Sequence, residues 1–214
     1  AKKHLVKQLD EEFRKSSDRR IAATARFRRP LAFAKGQYVV HRLTDKKGRR
    51  SISRMAIIGR EDNGWIIEFY SLSESSEGVT QMLFSGLDPA TRSADGFDVK
   101  WVKVKDDKGQ ISTIDGPMLQ FTKGMYKKMA ANMDVEVTTF TSGGPVTVPA
   151  GVFANTLKFT SDVQFMGKKV RSEGWYHSGV PISGLVKSVS DDGSSTMELV
   201  DFGLSGAVSA LGAD

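Results

Sequence analysis

From Val146 to Gly203 the chain runs in short apolar-rich stretches separated by Gly, Asp and Ser. Val152–Phe159 is rich in β-branched and aromatic residues, and Val170–His177, Gly184–Ser190 and Ser195–Phe202 repeat the pattern. Such stretches predict strands. Gln164–Lys169 contains Gly167 and reverses the chain. Asp191-Asp192-Gly193 predicts a tight hairpin, because Asp and Gly tolerate positive φ. The first half reads the same way. Gln37–Leu43, Ser51–Gly59 and Trp65–Ser71 predict a meander turning at Asp45–Gly48 and Glu61–Gly64, continued by Val79–Phe84, Phe97–Val104 and Gln110–Ile114. Phe97, Val99 and Trp101 alternate with Asp98 and Lys100, so one face of that strand is buried and the other wet.

Two segments change period. Leu5, Leu9 and Phe13 recur every four residues within Lys2–Phe27, with Val6 beside them, which predicts an amphipathic helix. Ser16–Asp18 interrupts it, with Asp18 in position to cap a second short helix through Ala25, and Pro30 closes the segment. Pro117–Met133 carries Phe121, Met125, Met129 and Met133 on one helical stripe. Two readings of this Met-rich stripe stand: a helix packed into the core, or a lid over a space that must fit varied apolar shapes, since Met is unbranched and polarisable. Val135–Phe140 begins the second half, Ser142-Gly143-Gly144-Pro145 is expected to break the chain, and Gly203–Asp214 is expected to be frayed or irregular.

The expected fold is β-rich α+β: one large curved antiparallel sheet, a half-barrel, with the N-terminal helix and the Met-rich lid helix over its concave face. Residues 1–29 read as a basic helical segment, and residues 30–214 as a single β domain that includes helix 117–133. A strongly curved sheet cannot fill its own hollow with strand side chains alone, so helices or a ligand must cover it.

Charge singles out one segment. Residues 1–29 hold ten Lys/Arg and four acids, the whole formal excess of +6, and the remainder is neutral. Lys2, Lys3, Lys7, Arg14, Arg19, Arg20, Arg26, Arg28 and Arg29 are the candidate contacts to an anionic surface, each contributing on the order of 1 kcal/mol there. A solvated basic face is the plainer reading. Nucleic acid is disfavoured as a partner, because the aromatics do not interleave with the basic residues. The chain has no cysteine, and no apolar run approaches the roughly 20 residues of a membrane-spanning helix. It begins at Ala1, as a processed or trimmed chain would.

Catalytic signatures are missing. His4, His41 and His177 have no ligand spacing between them, Asp106/Asp107 and Asp191/Asp192 are turn residues, and neither a Gly-x-Ser-x-Gly elbow nor a phosphate loop occurs. The expectation is a non-enzymatic protein without a cofactor or metal.

One resemblance adds to this. Pro149-Ala150-Gly151-x-Phe153, a long hairpin, Trp175-Tyr176-His177-Ser178-x-Val180-Pro181-Ile182-x-Gly184, then Glu198-Leu199-Val200-Asp201-Phe202-Gly203 resemble the C-terminal half of bacterial envelope lipoprotein-localisation proteins (LolA/LolB-like half-barrels) and related uncharacterised periplasmic lipoproteins. The resemblance spans about sixty residues and is structural. It implies a curved sheet, a helical lid and an apolar cavity for acyl chains, in the periplasm or anchored at the outer membrane. Spacing supplies the candidate cavity residues: Phe121, Met125, Met129 and Met133 sit on one helical face, opposite strand residues Phe153, Leu157 and Phe159, which alternation puts on one sheet face, and Trp175. The alternative is an interaction module with a filled core, docking an envelope protein through a sheet edge or the basic helix.

Overall fold

The computed structural model describes residues 2–22, 31–88, 96–130, 140–165 and 168–212, the side chains of 129, 161–165 and 168–170 excepted. Helix α1 (Lys3–Arg14) leads to a two-residue strand β1 (Arg20–Ile21). Strands β2 (Tyr38–Asp45), β3 (Arg50–Glu61), β4 (Gly64–Ser73), β5 (Glu77–Ser85), β6 (Asp98–Lys105) and β7 (Ile111–Ile114) form one meander. Helix α2 (Gly116–Ala130) follows. A second meander comprises β8 (Thr141–Val148), β9 (Gly151–Phe165), β10 (Lys168–Tyr176), β11 (Leu185–Ser190) and β12 (Ser195–Gly203).

The two meanders join into a single twelve-stranded sheet where β12 pairs antiparallel with β2, from Ser195↔Asp45 to Gly203↔Tyr38. All pairings are antiparallel except β1, which runs parallel to the start of β9. The sheet is strongly curved and unclosed, with β7 and β8 at its ends. Strand β8 lies back against β11 and β12. There the Ala150 N–H donates to the Leu199 carbonyl at 3.0 Å.

Alternation sorts the side chains between the two faces. Val39, Ile57, Ile67, Met82, Phe84, Val102 and Leu199 point into the curl and join the larger core. Val40, Ile52, Leu72 and Val200 point outward, where Leu5 and Leu9 of α1 cover them. The turns follow their residues. Asp62 and Asn63 both adopt positive φ (45° and 61°) in the β3–β4 hairpin, and Gly193 (63°) closes the β11–β12 hairpin.

Several expectations are corrected. Helix α1 sits on the convex face, not the concave one, because its apolar stripe meets the outward residues of β2–β4 and β12. The chain beyond Arg14 is extended, not helical: the Ser17 N–H donates to the Pro149 carbonyl (2.7 Å) and the Val152 N–H to the Arg19 carbonyl (2.8 Å). These backbone bonds override the capping signal at Asp18. The part of the predicted second helix beyond residue 22 lies outside the described residues, as do Met133 and Val135–Thr139.

Strand β8 continues through Ser142-Gly143-Gly144-Pro145, absorbing the glycines and proline as two register shifts. A Cβ on Gly143 would stand 2.6 Å from Thr156 Oγ1 and 2.8 Å from Trp175 Cδ1, so glycine is what lets the strand close here. The C-terminal stretch is irregular as expected, yet pinned: the Ala210 N–H and the Ser209 hydroxyl donate to the Glu68 carboxylate at 2.9–3.0 Å.

Candidate functional site

The inside of the curl, the expected ligand space, is filled at one end. The loop between β10 and β11 places Val180 and Ile182, both fully buried, against Phe153 and Phe202, whose rings lie 5.8 Å apart. Ile182 holds φ at +67°, the left-handed region that β-branched residues rarely enter. Its peptide neighbours close a three-residue turn, the Ser183 N–H donating to the Pro181 carbonyl at 2.8 Å. Burial of the Ile182 side chain holds this strained turn in place.

Of the predicted cavity residues, the six whose side chains are described lie in different surroundings. Phe153 is core. Asn155, at φ +53°, breaks the alternation of β9, so that Phe153 and Thr156 are both buried. Leu157 and Phe159 are thereby placed on the face opposite Thr156 and Lys158. Phe159 joins Phe140 (6.1 Å) and Phe140 joins Tyr176 (5.6 Å), while Trp175 lies under the Lys158 ammonium at 5.3 Å. The expectation that Phe153, Leu157 and Phe159 share a face is therefore corrected, the bulge at Asn155 being the reason.

Helix α2 does cover the inner face, but by a different side from the one predicted. Leu119, Tyr126 and Ala130 are its buried positions. Phe121 is 91% exposed, Met125 61% and Met118 64%. The rotation of the helix has a visible cause. Lys123 pairs with Asp98 at 2.5 Å and Lys127 lies over the Phe97 ring at 5.4 Å, so the lysines beside the buried face reach the start of β6 and turn the Phe/Met stripe outward. Met118 belongs to this stripe and was not among the predicted residues, although its spacing of three from Phe121 and seven from Met125 was there to read. Met133 lies outside the described residues and the Met129 side chain is not described.

The basic candidates scatter. Lys2 approaches Asp107 (3.9 Å) and Lys7 approaches Glu11 (3.9 Å), both at the surface. Lys3 and Arg14 are exposed on α1. The Arg19 guanidinium stacks on Phe202 at 4.6 Å, and Arg20 lies in β1. Arg26, Arg28 and Arg29 lie outside the described residues.

Two grooves mark the convex side. One of about 330 Å³ runs between α1 and β5–β6, past Lys2, Tyr70, Glu77, Lys105 and Asp107. Another of about 360 Å³ lies between α1 and the C-terminal stretch, past Glu12, Tyr38, Arg54 and Val208. Neither is walled by any of the eight predicted residues.

Three of the buried polar groups are titratable side chains with defined surroundings, Glu68, His41 and His177. The Glu68 carboxylate, with no exposed surface, receives Gln81 (2.9 Å) and Arg54 (3.2 Å) besides Ser209 and Ala210. His41 donates from Nε2 to the Leu185 carbonyl at 2.9 Å, and burial lowers its pKa to about 4. His177 Nδ1 accepts the Gly179 N–H at 3.0 Å, so its neutral ring carries the proton on Nε2. That atom has no partner within hydrogen-bonding geometry among the described residues, and burial lowers the pKa of the ring. Glu68 and His41 tie elements together. Among the described residues, no cluster of His, Asp or Glu is placed to hold a metal, and no helix is long and apolar enough to cross a membrane.

No family model matches the chain, and no curated protein matches its sequence. Among solved structures, it is similar to a candidate exported protein with a YmcC-like fold from Bacteroides fragilis, at 12% identity and a TM-score of 0.38, covering 83% of this chain and all of that one.

Proposed function

We propose that the protein is a non-enzymatic binding protein of the bacterial cell envelope that carries or senses lipid or an acylated protein. The observation that carries the reading is the seating of α2. An unclosed curled sheet presents an apolar inner wall that includes Phe84, Val99 and Val102, and α2 covers this wall through Leu119, Tyr126 and Ala130. Among the strands its main neighbour is β6. A helix held this way can lift without unfolding the sheet, and lifting it uncovers a wall suited to an acyl chain. The acyl chain thus enters beneath α2, not against the Met stripe that faces out.

The test uses the absence of cysteine from the chain. Asp98→Cys and Lys123→Cys together, joined by a short bismaleimide, tie α2 to β6. The unbridged protein is expected to take up a fluorescent fatty acid saturably, and the bridged protein to lose most of that uptake. No saturable uptake by the unbridged protein would overturn the reading. The filled end of the curl, where Val180 and Ile182 are fully buried, favours a second reading: a module with a closed core that docks an envelope protein through a sheet edge or α1. Equal uptake with and without the bridge would also count against the lid.

A further inference from the structure

We infer that the loop joining β10 to β11 is a plug that acid releases, fastened at each end by a buried neutral histidine. The inference goes beyond the carrier reading and does not rest on it. The loop carries Val180 and Ile182 into the curl, where both are fully buried. Its backbone bonds close it on itself. The His177 N–H donates to the Gly184 carbonyl (2.9 Å), the Val180 N–H to the His177 carbonyl (3.1 Å) and the Ser183 N–H to the Pro181 carbonyl (2.8 Å). The two histidines act at its ends. At the start, His177 Nδ1 accepts the Gly179 N–H at 3.0 Å. At the finish, His41 on β2 donates from Nε2 to the Leu185 carbonyl at 2.9 Å. His41 is 2% exposed and His177 3%.

A proton disturbs each fastening differently. The lone pair of the neutral His177 ring lies on Nδ1, the atom that accepts from Gly179. A proton there sets a donor against a donor. His41 keeps its bond to Leu185 when protonated, but carries a full charge in the interior. Among the described residues no carboxylate sets the titration of either ring. Beside His41 in the sheet stand Leu199 on β12 and Ser53 on β3, both uncharged. Around His177 lie the Phe153 ring at 5.4 Å and the backbone of Ala22 and Ala154. The charged side chains near this end, Arg19 and Arg20, line the notch beside Gly179 and are cations. Lifting the loop returns both rings to water, where histidine titrates near 6.5. In the closed loop both bind a proton more weakly, His41 with a pKa of about 4. Falling pH therefore favours the open loop from about 6.5 downward. Opening also frees Ile182 from its positive φ (67°) and uncovers Phe153 and Phe202.

Amide hydrogen exchange of the full chain at pH 7 and pH 4.5, corrected for intrinsic rates, tests this. The Val180 and Ser183 amides report on the loop, and the Ile67 amide on β4. At pH 4.5 the loop amides are expected to exchange through an opening that low urea leaves unchanged. Exchange at Ile67 should rise with urea, because it requires global unfolding. From pH 7 to pH 4.5 the opening constant of the loop should rise about fifty-fold through His41, and further through His177. His41→Gln keeps a donor for Leu185, and His177→Asn keeps an acceptor for Gly179. Together they should remove that rise. The inference is overturned by loop amides that share the protection and urea dependence of Ile67, a result the unaltered chain gives without any variant. A double variant that keeps the full rise overturns it equally. No lipid enters the measurement, so its outcome is separate from that of the carrier reading.

Discussion

At the residue scale, the two buried histidines give the protein a definite response to acid. His41 is neutral in the folded chain down to a pKa of about 4, whereas in the unfolded chain it titrates near the ordinary value of 6.5. The unfolded state therefore binds the extra proton first. Stability is full above about pH 6.5, falls as the pH drops toward 4, and levels off below that. For His41 alone the loss is about 3 kcal/mol, and His177 adds to it with the same sign. His41→Gln, which keeps a donor for the Leu185 carbonyl, should flatten this slope while costing little at pH 7. Urea midpoints at pH 7 and pH 4.5 check it, and an unchanged difference between them would refute the assignment. Residues were unevenly legible. Asp62, Asn63 and Gly193 carry their turn chemistry locally, so their positive φ could be read from the chain. Asn155 and Ile182 could not, because only distant packing forces them there, and with Asn155 went the true facing of Leu157 and Phe159.

At the scale of elements, strand periods were readable wherever one face is buried and the other wet. Rotation about a helix axis was not. The Phe/Met stripe of α2 is plain in the sequence, but which side meets the sheet depends on Asp98 and Phe97, which lie some twenty-five residues away. The backbone bonds that straighten the chain after α1 come from Pro149 and Val152, more than a hundred residues on. The C-terminal stretch makes the same point from the other side. Its Gly/Ala/Ser composition predicts fraying or irregular structure, and it is irregular but held: besides the bonds to Glu68 on β4, Arg54 donates to the Val208 carbonyl (2.8 Å), Lys105 to the Ala210 carbonyl (3.3 Å) and the Ala207 N–H to the Gly36 carbonyl (2.9 Å). Glu68→Ala should loosen it around Ser209 and Ala210, taking one acceptor each from Arg54, Gln81, Ser209 and the Ala210 amide, at a cost of about 3 kcal/mol. Hydrogen exchange should quicken at Ala210 and Leu211 while β4 stays protected. Slow exchange there in the variant would show that other contacts hold the stretch.

At the scale of the whole molecule, the curved sheet followed from the sequence because two meanders of alternating strands need only one apolar face each. The plug in the curl did not, since a loop carrying Val180 and Ile182 looks like any other loop until the strands that surround it are placed. Nor did the position of α1: Leu5 and Leu9 are core residues of the convex side, so removing residues 1–29 would strip Val40, Ile52, Leu72 and Val200 of their cover and confound any binding assay. The join between β12 and β2 reaches further than shape. The first strand of the first meander waits for the last strand of the second, roughly 150 residues later, before both its edges are paired. During synthesis β2 is thus an open edge until β12 emerges, a wait that favours slow folding and wrong partners. A chain stopped after Ser190 should therefore gather into aggregates under conditions where the full chain stays monodisperse by light scattering, and a well-behaved monomer would show that the first meander protects itself. Completion of the sheet is in effect a checkpoint on β12: a ribosome that stops before it releases a sticky edge in place of a folded protein.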